Sequence, residues 1–236
     1  MYELRVVFDN VELTPGLESE WGFAAVITGY ERAILFDAGS DGNILLANMK
    51  ALGIEPGEIG IVFVSHPHDD HLGGLDRFLL ENPDVEVLLP DRTPPEAVEA
   101  VEARGALPML VDEGGTIMDG VWSTGTIGDG TPEQGLILEG ETAVTLVTGC
   151  AHPGIAEMVV AASDVIGRPV DLVVGGLHLG GASKREAGRV AERLAALGVT
   201  AVAPSHCSGD ACVEALGRVF GDGFVESGLG RTVPLP

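Results

Sequence analysis

Six histidines occur in 236 residues, and each lies just past a short apolar run. That placement restricts the chain to folds in which several strand ends converge. Three of the six, His66, His68 and His71, fall in the string Ser65-His-Pro-His-Asp-Asp-His71, directly after the apolar run Ile61–Val64. In an extended chain, residues 66 and 68 point to the same side. A turn beginning near Asp69 brings Asp70 and His71 round to them. Imidazoles and a carboxylate at this spacing are ligand chemistry for Zn²⁺ or Fe²⁺. A merely solvated turn would not gather them at the C-terminal end of a strand, where α/β sites form.

The other three share a context. His152 follows Ala143–Val147 in Thr-Gly-Cys-Ala-His, His178 follows Leu172–Val174 in Gly-Gly-Leu-His, and His206 follows Ala201–Ala203 in Pro-Ser-His-Cys. Each precedes a stretch of helical spacing. A lone histidine in such a place is ordinarily a hydrogen-bonded turn residue. Three in succession, joined by a strand end that already carries a ligand cluster, make His152, His178 and His206 candidate ligands. Two of the three cysteines, Cys150 and Cys207, stand beside these histidines. An odd number without CxxC fits reduced thiols.

The rest of the pattern predicts a mixed α/β chain. Leu4–Phe8, Phe23–Thr28, Ala33–Phe36, Ile59–Val64, Val85–Leu89 and Leu107–Val111 are short apolar runs bounded by turn residues. Ile44–Leu52 and Pro95–Arg104 have helical spacing. Gly114–Gly135, rich in Gly and Thr, reads as loops and short strands. Strand and helix then alternate, with helices over Ile155–Ile166, Lys184–Leu197 and Ala211–Phe220. One domain over residues 1–236 is expected, with two sheets between helices.

Charge excludes several partners. Asp and Glu total 36 against 13 Lys and Arg, a net charge of −23. Such a surface repels nucleic acid phosphates and anionic lipid. No apolar run approaches ~18 residues, so no transmembrane helix is expected. The opening MYELRVVFDN reads as a first strand and not as a signal peptide, so a cytoplasmic location is expected. No GxGxxG follows a strand, and GK[ST] and GxSxG are absent. An anionic substrate would therefore rely on metal charge and on local donors. Gly180-Gly181-Ala-Ser183 at a predicted helix start lets backbone N–H groups approach a ligand. Lys184 follows in the first turn, where the helix dipole disfavours a cation. Gly180, Gly181, Ser183 and Lys184 are thus candidate contacts for a substrate phosphate.

His66-Pro-His-Asp-Asp70-His71-Leu-Gly-Gly resembles the HxHxDH motif of the metallo-β-lactamase-fold hydrolases, and Ile34-Leu-Phe-Asp37-Ala-Gly39 resembles the strand-end aspartate that precedes it there. Thr148-Gly-Cys-Ala-His152-Pro-Gly-Ile155, Gly175 to Leu179 and Ser205 to Gly209 are similar to stretches of one branch. That branch comprises the 7,8-dihydropterin-6-methyl-4-(β-D-ribofuranosyl)aminobenzene-5′-phosphate synthases of methanopterin biosynthesis. The resemblance runs from about residue 20 to the C-terminus. It implies an αββα sandwich and one or two divalent ions, zinc first, with manganese or iron as alternatives. It implies His66, His68 and His152 at one ion and Asp70, His71 and His206 at a second. Asp37 would orient a ligand histidine from behind. Two departures stand out. Cys150 occupies the strand end where many relatives carry a bridging aspartate, which makes Cys150 a possible ligand and leaves open one ion or two bridged differently. Glu20-Trp21-Gly22 stands where the branch is expected to have Glu-His-Gly.

A divalent ion held this way activates water and polarises phosphoryl or carbonyl oxygens. The resemblance implies a metalloenzyme with Asp70 as catalytic carboxylate, joining a dihydropterin diphosphate to an aryl ribose phosphate with loss of diphosphate. The alternative is a metal-dependent hydrolase of a phosphodiester, phosphate ester or lactone, since one fold hosts many chemistries. A second alternative is an iron-dependent redox or metal-binding module, which Cys150 and Cys207 would suit. The acidic surface yields a prediction of its own. Self-repulsion at −23 destabilises the compact state in dilute buffer. The melting temperature should rise as KCl is added from low to molar concentration; a flat or falling curve in calorimetry would contradict this.

Overall fold

Parallel strands are covered on both faces and need near-continuous apolar runs. In this computed structural model, which describes residues 2–235, such runs form the middle of each of two sheets. The chain divides into two compact units: the residues up to Asp112 with Gly228–Pro234, and Glu113–Ser227.

The first unit contains β1 (Tyr2–Asp9), β2 (Phe23–Thr28), β3 (Ala33–Phe36), α1 (Gly42–Ala51), β4 (Ile59–Phe63), α2 (Asp69–Leu72), α3 (Leu75–Glu81), β5 (Glu86–Pro90), α4 (Pro95–Ala103) and β6 (Leu107–Val111). β1, β2 and β3 pair antiparallel, and β3 to β6 run parallel. The helices cover one face: Leu45 and Met49 of α1 and Phe78 and Leu79 of α3 are buried with Leu35, Val62 and Val87 of the sheet. Asp41 starts α1 by accepting from the Asn43 and Ile44 amides, relieving two donors that the helix cannot satisfy itself.

The second unit contains β7 (Glu113–Met118), β8 (Val121–Gly125), β9 (Leu136–Glu139), β10 (Val144–Thr148), α5 (Ile155–Ile166), β11 (Leu172–Gly175), α6 (Lys184–Ala196), β12 (Ala201–Pro204) and α7 (Asp210–Phe220). Its sheet order is β12-β11-β10-β9-β8-β7. β7 to β10 are antiparallel, whereas β10, β11 and β12 are parallel. Each parallel strand is followed by a helix, so three successive strand ends with three helix starts lie side by side. Met158, Ala162, Ala191, Leu194 and Leu216 of the helices bury against Leu146, Val173 and Val202. A closing strand, β13 (Thr232–Leu235), joins the first sheet beside β1.

The expected mixed α/β architecture with two sheets is observed. The structure adds detail where local pattern is weak. The turn expected near Asp69 is the short helix α2, with the His71 and Leu72 amides bonded to the His68 carbonyl. Gly114–Gly135 contains the β7–β8 hairpin. No helix of the described residues is long and apolar enough to cross a membrane.

Gly175 shows how closely the parallel strand ends are packed. Its φ is +111°, and a Cβ there would meet the Thr148 carbonyl oxygen at 2.0 Å. An L side chain would be strained in backbone and in space. Gly175→Ala should lower unfolding free energy by about 2 kcal/mol or more. Gly181→Ala, where a Cβ would meet nothing within 4 Å, should stay within about 0.5 kcal/mol. Urea denaturation of the two variants tests the contrast.

Candidate metal centre

In the first unit, β3 and β4 end side by side, and their ends carry Asp37 and Ser65. Asp37 is fully buried. Its Oδ1 accepts from the Ser65 amide at 2.6 Å, and its Oδ2 accepts from the Ser65 hydroxyl at 2.7 Å. The same Oδ2 lies 2.7 Å from His71 Nδ1. A carboxylate can only accept, so His71 Nδ1 carries the proton and its Nε2 keeps a lone pair. The Ser65 hydroxyl has one proton and gives it to Asp37. It therefore accepts from His66 Nδ1, 2.9 Å away. One buried carboxylate thus sets the tautomer of two imidazoles, leaving Nε2 as the ligating atom on each.

The rings are packed. The His66 centroid is 4.1 Å from that of His71 and 4.7 Å from that of His68. His71 Nε2 and Asp70 Oδ2 lie 3.6 Å apart, two lone-pair atoms facing one another. A cation between such atoms turns repulsion into attraction, so this donor set fits a divalent ion. Asp70 Oδ2 also accepts the Trp21 indole N–H at 2.9 Å. Trp21 thus stands against the carboxylate, at the position where the family pattern leads one to expect a histidine. The glycines that end the string permit close backbone approach. A Cβ on Gly73 would meet the Asp69 carbonyl oxygen at 2.5 Å, and one on Gly74 the Ala38 carbonyl oxygen at 2.1 Å.

The second unit repeats the device with another carboxylate. Glu133 is fully buried. Its Oε1 accepts from the Cys150 and Ala151 amides at 2.9 and 2.8 Å. Its Oε2 accepts from the His152 amide and lies 2.9 Å from His152 Nδ1. His152 is therefore held with its Nε2 lone pair available. The His152 and His178 rings are 4.4 Å apart. Cys150, His152 and His178 each offer a ligand atom, all within 4.8 Å of one another. Cys150 Sγ also lies 3.2 Å from Cys207 Sγ, which accepts from the His178 amide at 3.3 Å. Burial, with Cys207 adding, pushes the Cys212 thiol up to about 12, so Cys212 is a neutral core group.

Backbone strain marks the same places. Among the described residues, the non-glycine positions with positive φ are Asp37 (55°), Ala151 (58°), His178 (52°) and His206 (50°). All four follow strand ends. Left-handed backbone at an ordinary residue costs of order 1–2 kcal/mol and clusters at functional sites.

The Gly180–Lys184 segment has local roles in the structure. A Cβ on Gly209 would meet Gly180 Cα at 2.5 Å, so the two glycines let these loops touch. Ser183 caps α6 by accepting from the Glu186 amide at 3.2 Å. Lys184 Nζ pairs with Glu214 at 2.7 Å and holds that carboxyl below the usual range.

Sequence reasoning missed the roles of Trp21, Ser65 and Glu133. Glu133 lies in a Gly-rich stretch 19 residues before the histidine it bonds, and only the folded loop brings it there. Glu133→Gln replaces one accepting oxygen with a donor. Metal affinity should fall roughly 10–100-fold, read by competition with a chromogenic chelator. Glu139→Gln, on an exposed ion pair with Arg168, should leave affinity unchanged.

Residues 22–206 match the model of the metallo-beta-lactamase superfamily. The chain is 28% identical over 226 aligned residues, 77% of each chain, to the 7,8-dihydropterin-6-methyl-4-(beta-D-ribofuranosyl)-aminobenzene-5'-phosphate synthase of Methanocaldococcus jannaschii. Among solved structures it is similar to Tm1679, described as a metal-dependent hydrolase of the beta-lactamase superfamily. That match has a TM-score of 0.82 and 25% identity, covering 100% of this chain and 99% of that one. The short form of human tRNase Z matches with a TM-score of 0.68 and 14% identity, covering 99% of both chains, a likeness of fold.

Proposed function

The chain belongs to the metallo-beta-lactamase superfamily, and from that premise we propose a specific reaction for this metal-dependent enzyme: joining a dihydropterin diphosphate to an aryl ribose phosphate with loss of diphosphate. The observation that carries the reading is the pair of buried carboxylates, Asp37 and Glu133. Each fixes the tautomer of histidines at strand ends, which is how proteins prepare imidazole to hold a divalent ion. The similarity to the Methanocaldococcus jannaschii synthase supports the choice of substrates.

In this reading His66, His68 and His152 hold one ion, and Asp70, His71 and His206 hold a second, with Cys150 as a further donor. The imidazole and carboxylate set favours zinc, with manganese and iron next. The ions supply Lewis acidity toward phosphoryl oxygens and a local positive charge that this acidic chain otherwise lacks. The protein's own groups do the orienting. Asp37, through Ser65, and Glu133 keep three imidazoles in one tautomer. The Trp21 N–H steadies Asp70, and Asp70 takes the proton released by the attacking group. The partner in this reading is a small phosphorylated molecule, with nucleic acid and anionic membrane disfavoured by the net charge. A second reading is hydrolysis of a phosphodiester, phosphate ester or lactone; the similarity to Tm1679, described as a metal-dependent hydrolase, supports hydrolysis without naming the substrate.

Elemental analysis and a paired assay test the proposal. The native protein should contain one or two equivalents of divalent metal and release diphosphate only when both substrates are present. His66→Ala with His68→Ala should lose most of the metal and at least about 100-fold of the rate, with unchanged circular dichroism. Turnover of bis(p-nitrophenyl) phosphate without any condensation would favour the hydrolase. Unchanged metal content in the double variant would remove the reading altogether.

A further inference from the structure

Within the second unit, a cavity of about 390 Å³ opens beside His152 and His178. One wall is α6, whose Glu186, Arg189, Val190 and Arg193 all line it. These fall at i, i+3, i+4 and i+7, which is one face of a helix. The adjoining face, with Ala187, Ala191 and Leu194, is buried in the core. The face toward the cavity is therefore fixed by packing.

Two of the chain's few cations, Arg189 and Arg193, stand on this wall. There are only 13 basic residues against 36 acidic ones. Arg32, Arg77, Arg92, Arg104, Arg168 and Lys184 all have an acidic partner within 4.0 Å. Arg189 and Arg193 have no such partner among the described residues, which is also true of Arg5, Lys50, Arg185 and Arg218; what distinguishes the pair is that both line this cavity, together with Glu186 and Glu157. Two guanidiniums one turn apart, without internal counterions, present a fork that matches phosphate oxygens. The lining also includes the apolar side chains of Leu177, Leu179 and Ile155.

We propose that this cavity seats the phosphate-bearing arm of an amphiphilic phosphate monoester, with the phosphate on Arg189 and Arg193 and the hydrocarbon or aromatic body on the apolar lining. The reacting end of the molecule then lies at His152 and His178. The assignment rests on the metalloenzyme reading for its catalytic meaning. It goes beyond that reading in naming the substrate-binding wall and the class of group it takes. The two carboxylates of the cavity disfavour a second anionic group there, so a monoester is preferred to a long polyanion.

The test uses the full chain as purified, with metal content measured in every variant. The probe is phenyl phosphate, with inorganic phosphate for comparison, in calorimetric titration. Wild-type protein should bind phenyl phosphate more tightly than phosphate. Arg189→Ala with Arg193→Ala should weaken phenyl phosphate at least tenfold with metal content unchanged. Arg104→Ala, in the first unit and paired with Asp76, should have no effect. Both α6 arginines are exposed on the helix surface, and the charge-conserving pair Arg189→Lys with Arg193→Lys should retain part of the affinity that the alanine pair loses. Equal affinity in the wild type and the double alanine variant, or no binding by the wild type, would overturn the proposal. Arginine-dependent binding in a protein that carries no metal would support this site while removing the metalloenzyme reading. Intact turnover with unchanged KM in the double alanine variant would remove this site and leave that reading in place.

Discussion

A neutral imidazole ligates through the one ring nitrogen that has no proton, so whatever fixes the proton fixes the ligand. Buried carboxylates do this here. Asp37 accepts a hydrogen bond from His71 Nδ1–H directly and orders the His66 proton through the Ser65 hydroxyl. Glu133 accepts from His152 Nδ1–H and from three backbone amides of the same loop. A buried carboxylate without donors would be costly; these two are fully engaged, and their cost is offset by the loops they order. The elements around them follow from that requirement. β3 and β4 must end together to bring Asp37 to Ser65, and Gly73 and Gly74 must lack side chains for the chain to turn back.

The strained backbone belongs to the same design. Asp37, Ala151, His178 and His206 all take left-handed conformations just past strand ends. A chain leaving a strand in that conformation reverses sharply and presents its side chain at the sheet edge. Glycine would adopt the shape at no steric cost but would supply neither the imidazoles of His178 and His206 nor the carboxylate of Asp37. Three parallel strands, each followed by a helix, place three such turns side by side in the second unit, and the buried helix faces hold them there.

Acidity gives the few cations meaning. Six of the basic residues are neutralised by acidic neighbours within the fold. Most of these pairs are exposed, and each contributes little to stability. The guanidiniums on the cavity face of α6 have no such neighbour and line the cavity beside His152 and His178.

The strands, the main helices and the gathering of His66, His68 and His71 were legible in the sequence, because apolar period and short spacing are local properties. Ile59–Val64 reads as a buried strand from its own residues, and six residues of chain cannot separate the histidines by much. Even Gly53, with φ of 73° after α1, could be read as a helix end. Of the groups behind the ligands, the resemblance pointed to Asp37, which lies 2.7 Å from His71 Nδ1; the sequence did not carry the parts played by Trp21, Ser65 and Glu133. Trp21 meets Asp70 across 49 residues, Ser65 meets Asp37 across 28, and Glu133 lies in a stretch with no periodicity at all. The helix α3 and the strand β13 were likewise set by packing against elements distant in sequence. Which carboxylate meets which imidazole, and which arginines escape an acidic neighbour, depend on side-chain direction after the sheets have formed. A one-dimensional pattern records which residues are present; only the tertiary structure decided which of them touch.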